Sequence, residues 1–350
     1  MSITSSFVFA TCNIGSEASL KAEVSRLHGP LLTPAFMRPQ LITWKCRDPL
    51  TAAFHLKSVF ARVSGLSLGL CKTTDEIARA ASTAFGASPF HLHVFPREVP
   101  EEGLANEAWT RMDSLREQII PALRAAGLEV HDPRRPKDGE WMMDLIFETE
   151  TDHCLAGLHR HWPTRHPLPG GLSRATLPAE SPSRAFLKIE QTLAWQNLDA
   201  EDALTGTTAL ELGCAPGGGT YALLRRGVNV IGVDTGPMNE IVTSYTGPSD
   251  ARFTHLPVSV GALTNHPLPD RIDMLLSDMN LAPPVILKYV EAVQKRVRAK
   301  TLIITLKLND REMESRLPEF IAHFARFAPG PVRATQLQAN RREVCLFSRA

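Results

Sequence analysis

LELGCAPGGGTYALL, residues 210 to 224, is the stretch of sequence that decides the fold. It joins an apolar strand to a helix through a turn that contains Gly213, Gly217 and Gly218. Glycines let the backbone approach a ligand closely, where side chains would block it. The next apolar segment ends at Asp234, which lies 234 − 213 = 21 residues after Gly213, near the spacing of an acid that hydrogen-bonds a nucleotide ribose. The pair predicts a site for a nucleotide-like ligand.

The spacing inside the turn separates the possible ligands. A dinucleotide fingerprint reads GxGxxG, whereas this turn runs Gly213, Cys214, Ala215, Pro216, Gly217, and Pro216 offers no amide hydrogen to a pyrophosphate. NAD is therefore disfavoured. S-adenosyl-L-methionine, a ligand without phosphates, suits the turn better. Its amino-acid end and its adenosine need a backbone that approaches closely and an acid that binds the ribose.

From residue 207 onward, strands and helices alternate, as in a Rossmann-like α/β sheet that carries helices on both faces. The strands are predicted in TTALELG, VNVIGVD, RFTHLPV, DMLLSDM and TLIITLK, and the helices at 220–226, 283–298 and 312–327. The chain ends in VRATQLQ and EVCLFSR, which predict a hairpin. A seven-stranded sheet with one antiparallel strand is expected.

The first half of the chain predicts two smaller α+β units. In the first, strands are expected in FVFAT and LITWKC, and helices at 17–27 and in DPLTAAFHLKSV, residues 48–59. In the second, strands are expected in FHLHVF and WMMDLIFET, and helices in TDEIARAASTAF and from about 109 to 126. Prolines and glycines then interrupt the pattern from about 159 to 183, where we place the major boundary. The expected domains are 1–62, 63–165 and 166–350.

The composition is that of a globular protein outside the membrane. The 350 residues are 43% hydrophobic and 21% charged, and no apolar run approaches the roughly 20 residues that span a bilayer. We expect a cytoplasmic monomer. The six cysteines are scattered, so neither a disulfide framework nor a metal site is predicted.

The net charge of +1 neither demands nor excludes RNA, so local stretches decide. Between 158 and 188, five basic residues stand against one acid, with three histidines and Trp162 interleaved. The basic residues are Arg160, Arg165, Arg174, Arg184 and Lys188. This stretch is either an RNA-facing seam between domains or a solvated linker.

A methyl group on a sulfonium is already activated, so the enzyme must mainly align a nucleophile and help remove its proton. Four ionisable residues lie where the predicted fold could gather them: Lys188, Asp278, Lys307 and Glu343. Asp278 and Lys307 end two strands at the carboxyl edge, where open α/β sheets bind their ligands. Such a set suits a weakly acidic acceptor such as a ribose hydroxyl.

Six segments resemble, in order, the motifs of the FtsJ-type RNA 2′-O-methyltransferases. They are SPSRAFLKIEQ (181–191), LELGCAPGGGTY (210–221), VIGVDTGPM (230–238), LLSDM (275–279), TLKL (305–308) and RREV (341–344). The closest resemblance is to the bacterial family that methylates a cytidine ribose of large-subunit ribosomal RNA. It implies a ferredoxin-like unit and an RNA-binding THUMP domain before the catalytic domain, and it is strong only from about residue 167 to 349.

The resemblance also implies roles for residues. The family's Lys-Asp-Lys-Glu tetrad falls on Lys188, Asp278, Lys307 and Glu343. We expect Lys307 to be the base: the charge of Lys188 would lower its pKa, whereas the carboxylates of Asp278 and Glu343, which would position the lysines and the hydroxyl, would oppose that lowering. The cofactor contacts implied are Ser183, Glu211, Gly213, Cys214, Ala215, Pro216, Gly217, Gly218, Asp234 and Asp278.

Three positions depart from the family pattern. Glu211 stands where the family usually has Asp, Gly219 where it has an aromatic residue, and Val258 to Val260 where it has an acid. These departures concern the residues that would contact the adenine side of the cofactor.

Other functions remain as alternatives. Amino-methylating enzymes place Asn/Asp-Pro-Pro-aromatic after the fourth strand, where this chain has Asp278-Met279-Asn280-Leu281, and carbon-5 cytosine enzymes need a cysteine there. A catalytically weak or inactive RNA-binding protein that keeps the fold, or an enzyme acting on another RNA, is the remaining alternative.

Overall fold

The computed structural model describes residues 3–101, 103–131, 135–247, 250–269 and 272–350. The chain forms two compact units, Met1–Arg174 and Ala175–Ala350. No helix among the described residues is long and apolar enough to cross a membrane.

The first unit is built on one seven-stranded sheet. Its elements are β1 Thr4–Thr11, α1 Glu17–His28, β2 Leu32–Arg38, β3 Leu41–Thr51, β4 Val63–Cys71, α2 Thr74–Phe85, β5 Phe90–Pro96, α3 Asn106–Ala125, β6 Trp141–Phe147, β7 Cys154–Arg160 and a 3₁₀ turn at Pro169–Gly171. The strand order is β2-β3-β1-β4-β7-β6-β5. β1 pairs with β4, so segments 1–62 and 63–165 share this sheet, and their division into two domains stays a prediction.

The helix predicted at 48–59 is wrong. Residues 48 to 51 are the end of β3, and the chain then runs without helix to Val63. Asp48 and Pro49 would suit the first turn of a helix, but the sheet takes this segment instead, because Leu50 and Thr51 pair with Ser5 and Thr4 of β1. The Glu23 carboxylate of α1 accepts hydrogen bonds from the backbone N–H of Val59 and the hydroxyl of Ser58, which fixes the irregular segment instead.

The second unit is the predicted Rossmann-like sheet. Its elements are α4 Ala185–Trp195, β8 Thr208–Leu212, α5 Gly218–Arg225, β9 Asn229–Val233, α6 Glu240–Thr243, β10 Phe253–Leu256, a 3₁₀ turn Val260–Asn265, β11 Met274–Ser277, α7 Pro283–Val297, β12 Thr301–Lys307, α8 Arg311–Ser315, α9 Leu317–Ala325, β13 Val332–Thr335 and β14 Glu343–Arg349. The order is β10-β9-β8-β11-β12-β14-β13. β14 is antiparallel to both of its neighbours, β12 and β13, while the other pairs of neighbouring strands in this sheet are parallel. This arrangement confirms the predicted seven-stranded sheet with one antiparallel strand and the terminal hairpin.

The strand order places the ligand site. From β8 the chain continues to β9 and β10 on one side, and later returns to β11 and β12 on the other. Open α/β sheets bind ligands at the carboxyl ends of strands beside such a reversal. Here that edge lies between β8 and β11, which carry the glycine turn and Asp278.

The core holds that edge in place. Helices α4 and α5 pack on the sheet through side chains such as Leu193, Leu223 and Leu224, each with no exposed surface. Fully burying a leucine contributes roughly 1.5–3 kcal/mol, so the two helices that carry site residues are firmly attached.

Candidate active site

The turn after β8 needs its glycines for space and for conformation. Gly213 and Gly217 have φ of +80° and +116°, in the left-handed region that glycine tolerates best. A Cβ on Gly213 would lie 2.9 Å from the Met279 backbone, and one on Gly217 would lie 2.6 Å from Val242. The turn is therefore drawn tightly onto neighbouring segments of the same edge.

Asp234 lies at the end of β9 and contacts the glycine turn directly. Its Oδ2 accepts a hydrogen bond from the Ala215 amide at 3.0 Å, and its Oδ1 accepts one from the Gly236 amide at 2.8 Å. Each carboxylate oxygen keeps further acceptor capacity, because a carboxylate offers about four lone-pair sites. The pairing of turn and acid that the sequence predicts is formed in the structure.

Glu211 lies under the turn, and two departures from the family pattern meet there. Its Oε2 accepts a hydrogen bond from the buried Thr220 hydroxyl at 2.5 Å. A Cβ on Gly219 would collide with its Oε1. The longer acid thus occupies space that a side chain at 219 would need. Burial raises the pKa of Glu211 to about 8, with smaller contributions of the same sign from the charges of Asp278 and Asp234.

The remaining predicted cofactor residues surround the same turn. Gly218 starts α5, and a Cβ there would collide with Ser183, so the residues before α4 lie against the turn. The carbonyl of Pro216 accepts a hydrogen bond from the Asn239 amide at 3.0 Å. Cys214 is buried, with its thiol 3.6 Å from the Met238 sulfur.

The four predicted catalytic residues come from four elements that meet at one edge. Lys188 is on α4, and Asp278 follows β11 directly, its amide bonded to the Leu212 carbonyl. Lys307 ends β12 and Glu343 begins β14, and the antiparallel register sets these two opposite each other.

Their charged groups form one connected network. The Lys188 ammonium donates to both Asp278 oxygens, at 3.1 and 2.9 Å, and lies 2.7 Å from Glu343 Oε2. The Lys307 ammonium lies 3.6 Å from Glu343 Oε1. The side chains are between 15% and 23% exposed, so the network is partly shielded but reachable from solvent.

The pKa values of Lys188 and Asp278 are both raised, but for different reasons. Burial by itself would lower the pKa of Lys188, but the carboxylates of Asp278 and Glu343 outweigh it and raise that pKa above its ordinary value. Burial raises the pKa of Asp278, although the charge of Lys188 acts in the opposite direction. Lys188 is therefore a permanent cation between two acids.

Two supporting residues were missed by the sequence reasoning. The Gln191 side chain, one helical turn after Lys188, accepts a hydrogen bond from the Ala339 amide at 2.7 Å. The Asn340 side chain contacts Glu343 Oε2 at 3.5 Å and accepts a bond from the Leu337 amide. α4 thus holds the loop that presents Glu343. The only sequence signal was the i, i+3 spacing of a second polar residue on α4.

The cysteines of this unit are unsuited to nucleophilic chemistry. Burial raises the pKa of the Cys345 thiol to about 12 and that of the Cys214 thiol above its ordinary range. Reactive cysteines need a lowered pKa and access to solvent. Cys214 and Cys345 therefore do not supply the nucleophilic cysteine that carbon-5 cytosine methylation needs.

The basic stretch of 158–188 is not a free row of cations. Arg165 is half-buried, and its guanidinium donates to the Ser64 carbonyl. Arg174 forms a two-bond ion pair with Asp113 and lies over the Trp109 ring. Arg160 lies over the Trp141 ring, 4.2 Å from its centroid. Phosphate binding would require Arg165 to leave the Ser64 carbonyl and Arg174 to leave Asp113, and the RNA-facing seam stays a prediction.

Comparison with known proteins identifies the domain. The FtsJ-like methyltransferase family matches residues 182–322. A protein of Halorhodospira halophila named ribosomal RNA large subunit methyltransferase M is 28% identical over 337 residues, which cover 96% of this chain and 93% of that protein. The protein of the same name from Alkalilimnicola ehrlichii is 32% identical over 178 residues, which cover 50% of this chain and 45% of that protein. The chain carries an FtsJ-like methyltransferase domain, and its cofactor is S-adenosylmethionine.

Proposed function

We propose that this chain transfers the methyl group of S-adenosylmethionine to a ribose 2′-hydroxyl of large-subunit ribosomal RNA, the acceptor being a cytidine. The observation that carries the proposal is the Lys188–Asp278–Glu343–Lys307 network beside the glycine turn. The similar proteins named for large-subunit ribosomal RNA support the substrate class.

The residues of the turn suit the cofactor. Gly213 and Gly217 allow a close approach by the backbone, and Asp234 has acceptor capacity left for a ribose. Ser183, Glu211 and the backbone of 214–218 line the same place and would contact the amino-acid end. When bound, the cofactor supplies an activated methyl group, so the protein needs only to align the acceptor and take up its proton.

Lys307 is the base in this proposal. Lys188 is held charged between two carboxylates, which makes it a poor proton acceptor. Lys307 forms an ion pair with Glu343 at 3.6 Å, while the charge of Asp278 acts on it from further away, and it lies at the end of its strand with a partly exposed side chain. Lys307 would take the proton of the hydroxyl and become an ammonium, which the Glu343 carboxylate would stabilise, and Lys188 would stabilise the developing alkoxide.

Glu343 lies outside the segment matched to the FtsJ-like family, so its role rests on the resemblance of the RREV motif and on geometry. It contacts both lysines, and the terminal hairpin places it opposite Lys307. These contacts support keeping Glu343 in the proposed catalytic set.

The first unit has the proposed role of selecting RNA, as a ferredoxin-like segment followed by a THUMP domain, within a protein that acts as a monomer. The alignment with the Halorhodospira protein extends through 96% of this chain, so the two halves occur together in that protein. RNA binding by the full chain should fall steeply with salt, because phosphate contacts release counterions.

The proposal is tested by three variants of the full chain: Lys307→Ala, Lys307→Arg and, as a matched control, Lys300→Ala, an exposed lysine just before the same strand. We expect both Lys307 variants to bind S-adenosylmethionine normally and to lose methyl transfer by about 10²- to 10⁴-fold. Arginine should fail as well because its guanidinium does not release its proton at usable pH.

Two outcomes would contradict the proposal. Near-normal transfer by Lys307→Arg would make Lys307 a positioning residue. A wild-type protein that binds both RNA and cofactor but transfers no methyl group would be the inactive RNA-binding alternative.

A further inference from the structure

A second group of chemically competent side chains lies in the first unit, far in sequence from the methyltransferase residues. His91 is on β5, Glu140 directly precedes β6, and His131 follows Val130. The backbone fixes all three positions. Phe90 is paired with Trp141 on one side and with Val130 on the other, and the His131 amide donates to the Phe90 carbonyl at 2.9 Å.

The side chains of His91, His131 and Glu140 converge beside the paired residues Phe90, Trp141 and Val130. One ligand atom from each of His91, His131 and Glu140 lies within 4.8 Å of the others. His91 Nε2 is 2.8 Å from Glu140 Oε2, and the two imidazole rings are 4.5 Å apart between centroids. Bonds of about 2.0–2.2 Å to a tetrahedral ion place ligand atoms roughly 3.4 Å apart. Binding of an ion would require the half-buried His131 ring to move inward and the His91–Glu140 pair to open from 2.8 Å toward that spacing.

The surroundings support a bound ion. The Lys137 amide donates to the Glu140 carboxylate at 2.7 Å, and such second contacts orient metal ligands. His161, whose backbone N–H donates to the Glu140 carbonyl, is 3% exposed, and its Nδ1 has no hydrogen-bond partner among the described residues. Buried polar atoms without partners are rare in folded proteins, but this one lies outside the three residues whose ligand atoms converge, so the proposal rests on those three.

We propose that His91, His131 and Glu140 bind one divalent transition-metal ion, for which zinc is the best match. Two imidazoles and one carboxylate form a known zinc ligand set that leaves a fourth position for water or another ligand. The absence of thiolates argues against a copper(I) or iron–sulfur site, and the two nitrogens argue against magnesium or calcium. Bound there, the ion would tie His131 and Glu140 to β5.

The spacing of these residues explains why the sequence predicts no metal site. They lie at 91, 131 and 140, in none of the short Cys/His patterns that mark zinc sites. The parallel pairing of β5 with β6 brings His91 and Glu140 together, and that pairing cannot be read from spacing alone.

The test uses full-length protein without a histidine tag, stripped of metal with a chelator. Zinc chloride titrated by calorimetry should show one site per chain. His131→Ala and Glu140→Gln should weaken binding at least about 10-fold. His153→Ala, which removes an exposed histidine outside the group, should bind zinc like the wild type.

Cobalt(II) provides the second readout, because its visible spectrum reports coordination geometry. We expect the intense bands of a four-coordinate site in the wild-type and His153→Ala proteins and a weak octahedral spectrum in the other two. The proposal is overturned if wild-type protein binds no stoichiometric zinc, or if folded His131→Ala and Glu140→Gln bind zinc and give the cobalt spectrum as the wild type does.

Discussion

Replacing Glu211 with Gln should change how stability depends on pH. The pKa of the Glu211 carboxyl is raised to about 8 in the folded chain, from an ordinary value of 4.5, chiefly by burial. Between these values the folded state keeps a proton that the unfolded state has lost. Unfolding then releases a proton, and the free energy of unfolding falls by about 1.4 kcal/mol for each pH unit gained.

The size of the effect follows from those two values. From pH 6 to pH 8, Glu211 alone should cost the wild type about 2 kcal/mol, since the slope flattens near the folded pKa. Glutamine mimics the protonated acid and can still accept the Thr220 hydrogen bond, but it cannot titrate. Between pH 6 and pH 8, Glu211→Gln should therefore gain about 2 kcal/mol relative to the wild type, or roughly 4–8 °C in melting temperature for a unit of this size.

Scanning calorimetry of the full chain measures this difference. The transition of the second unit is recognised by its upward shift when S-adenosylmethionine is added, because a ligand stabilises the state that binds it. Parallel curves for the two proteins from pH 6 to pH 8 would refute a raised pKa at Glu211 and, with it, the description of this acid as a neutral group beneath the turn.

Three further perturbations probe the same unit. Gly219→Ala should destabilise it by about 1–3 kcal/mol through collision with Glu211, and Glu211→Asp in the same chain should restore the melting temperature; no rescue would mean that the collision is not the cause. Asp234→Ala should weaken S-adenosylmethionine binding by about 1–3 kcal/mol in calorimetry, and unchanged affinity would remove it from the site. Lys188→Met, which leaves Asp278 facing another acid without the cation between them, should abolish transfer in a methyl-incorporation assay while cofactor binding persists, and retained transfer would contradict the network.

The second unit was largely predictable because its strands are short, apolar and regularly separated by helices. Each predicted strand of the sheet is present, and the predicted helix at 312–327 is divided in two near Arg316. In the first unit, β2, β4 and β7 were missed. Pro34 obscures β2, and Gly157 interrupts the apolar pattern of β7 because the Phe9 ring occupies the space of its side chain.

The sequence predicts which residues form the site but not which of them contact one another. The family resemblance predicts Lys188 and Glu343, yet their contact spans 155 residues (343 − 188) and depends on the register of the last strand. The sequence also does not predict that the half-buried Arg165 donates to the Ser64 carbonyl, because a paired arginine and a solvated one look alike in a basic stretch.

The central claim is that a ribose 2′-hydroxyl receives the methyl group. The most direct measurement incubates purified full-length protein with unmodified large-subunit ribosomal RNA and isotopically labelled S-adenosylmethionine, digests the RNA to nucleosides, and identifies the labelled product by mass spectrometry. The account predicts one labelled nucleoside, 2′-O-methylcytidine, absent when Lys307→Ala replaces the wild type. A label on the base, or transfer that persists in Lys307→Ala, would contradict it.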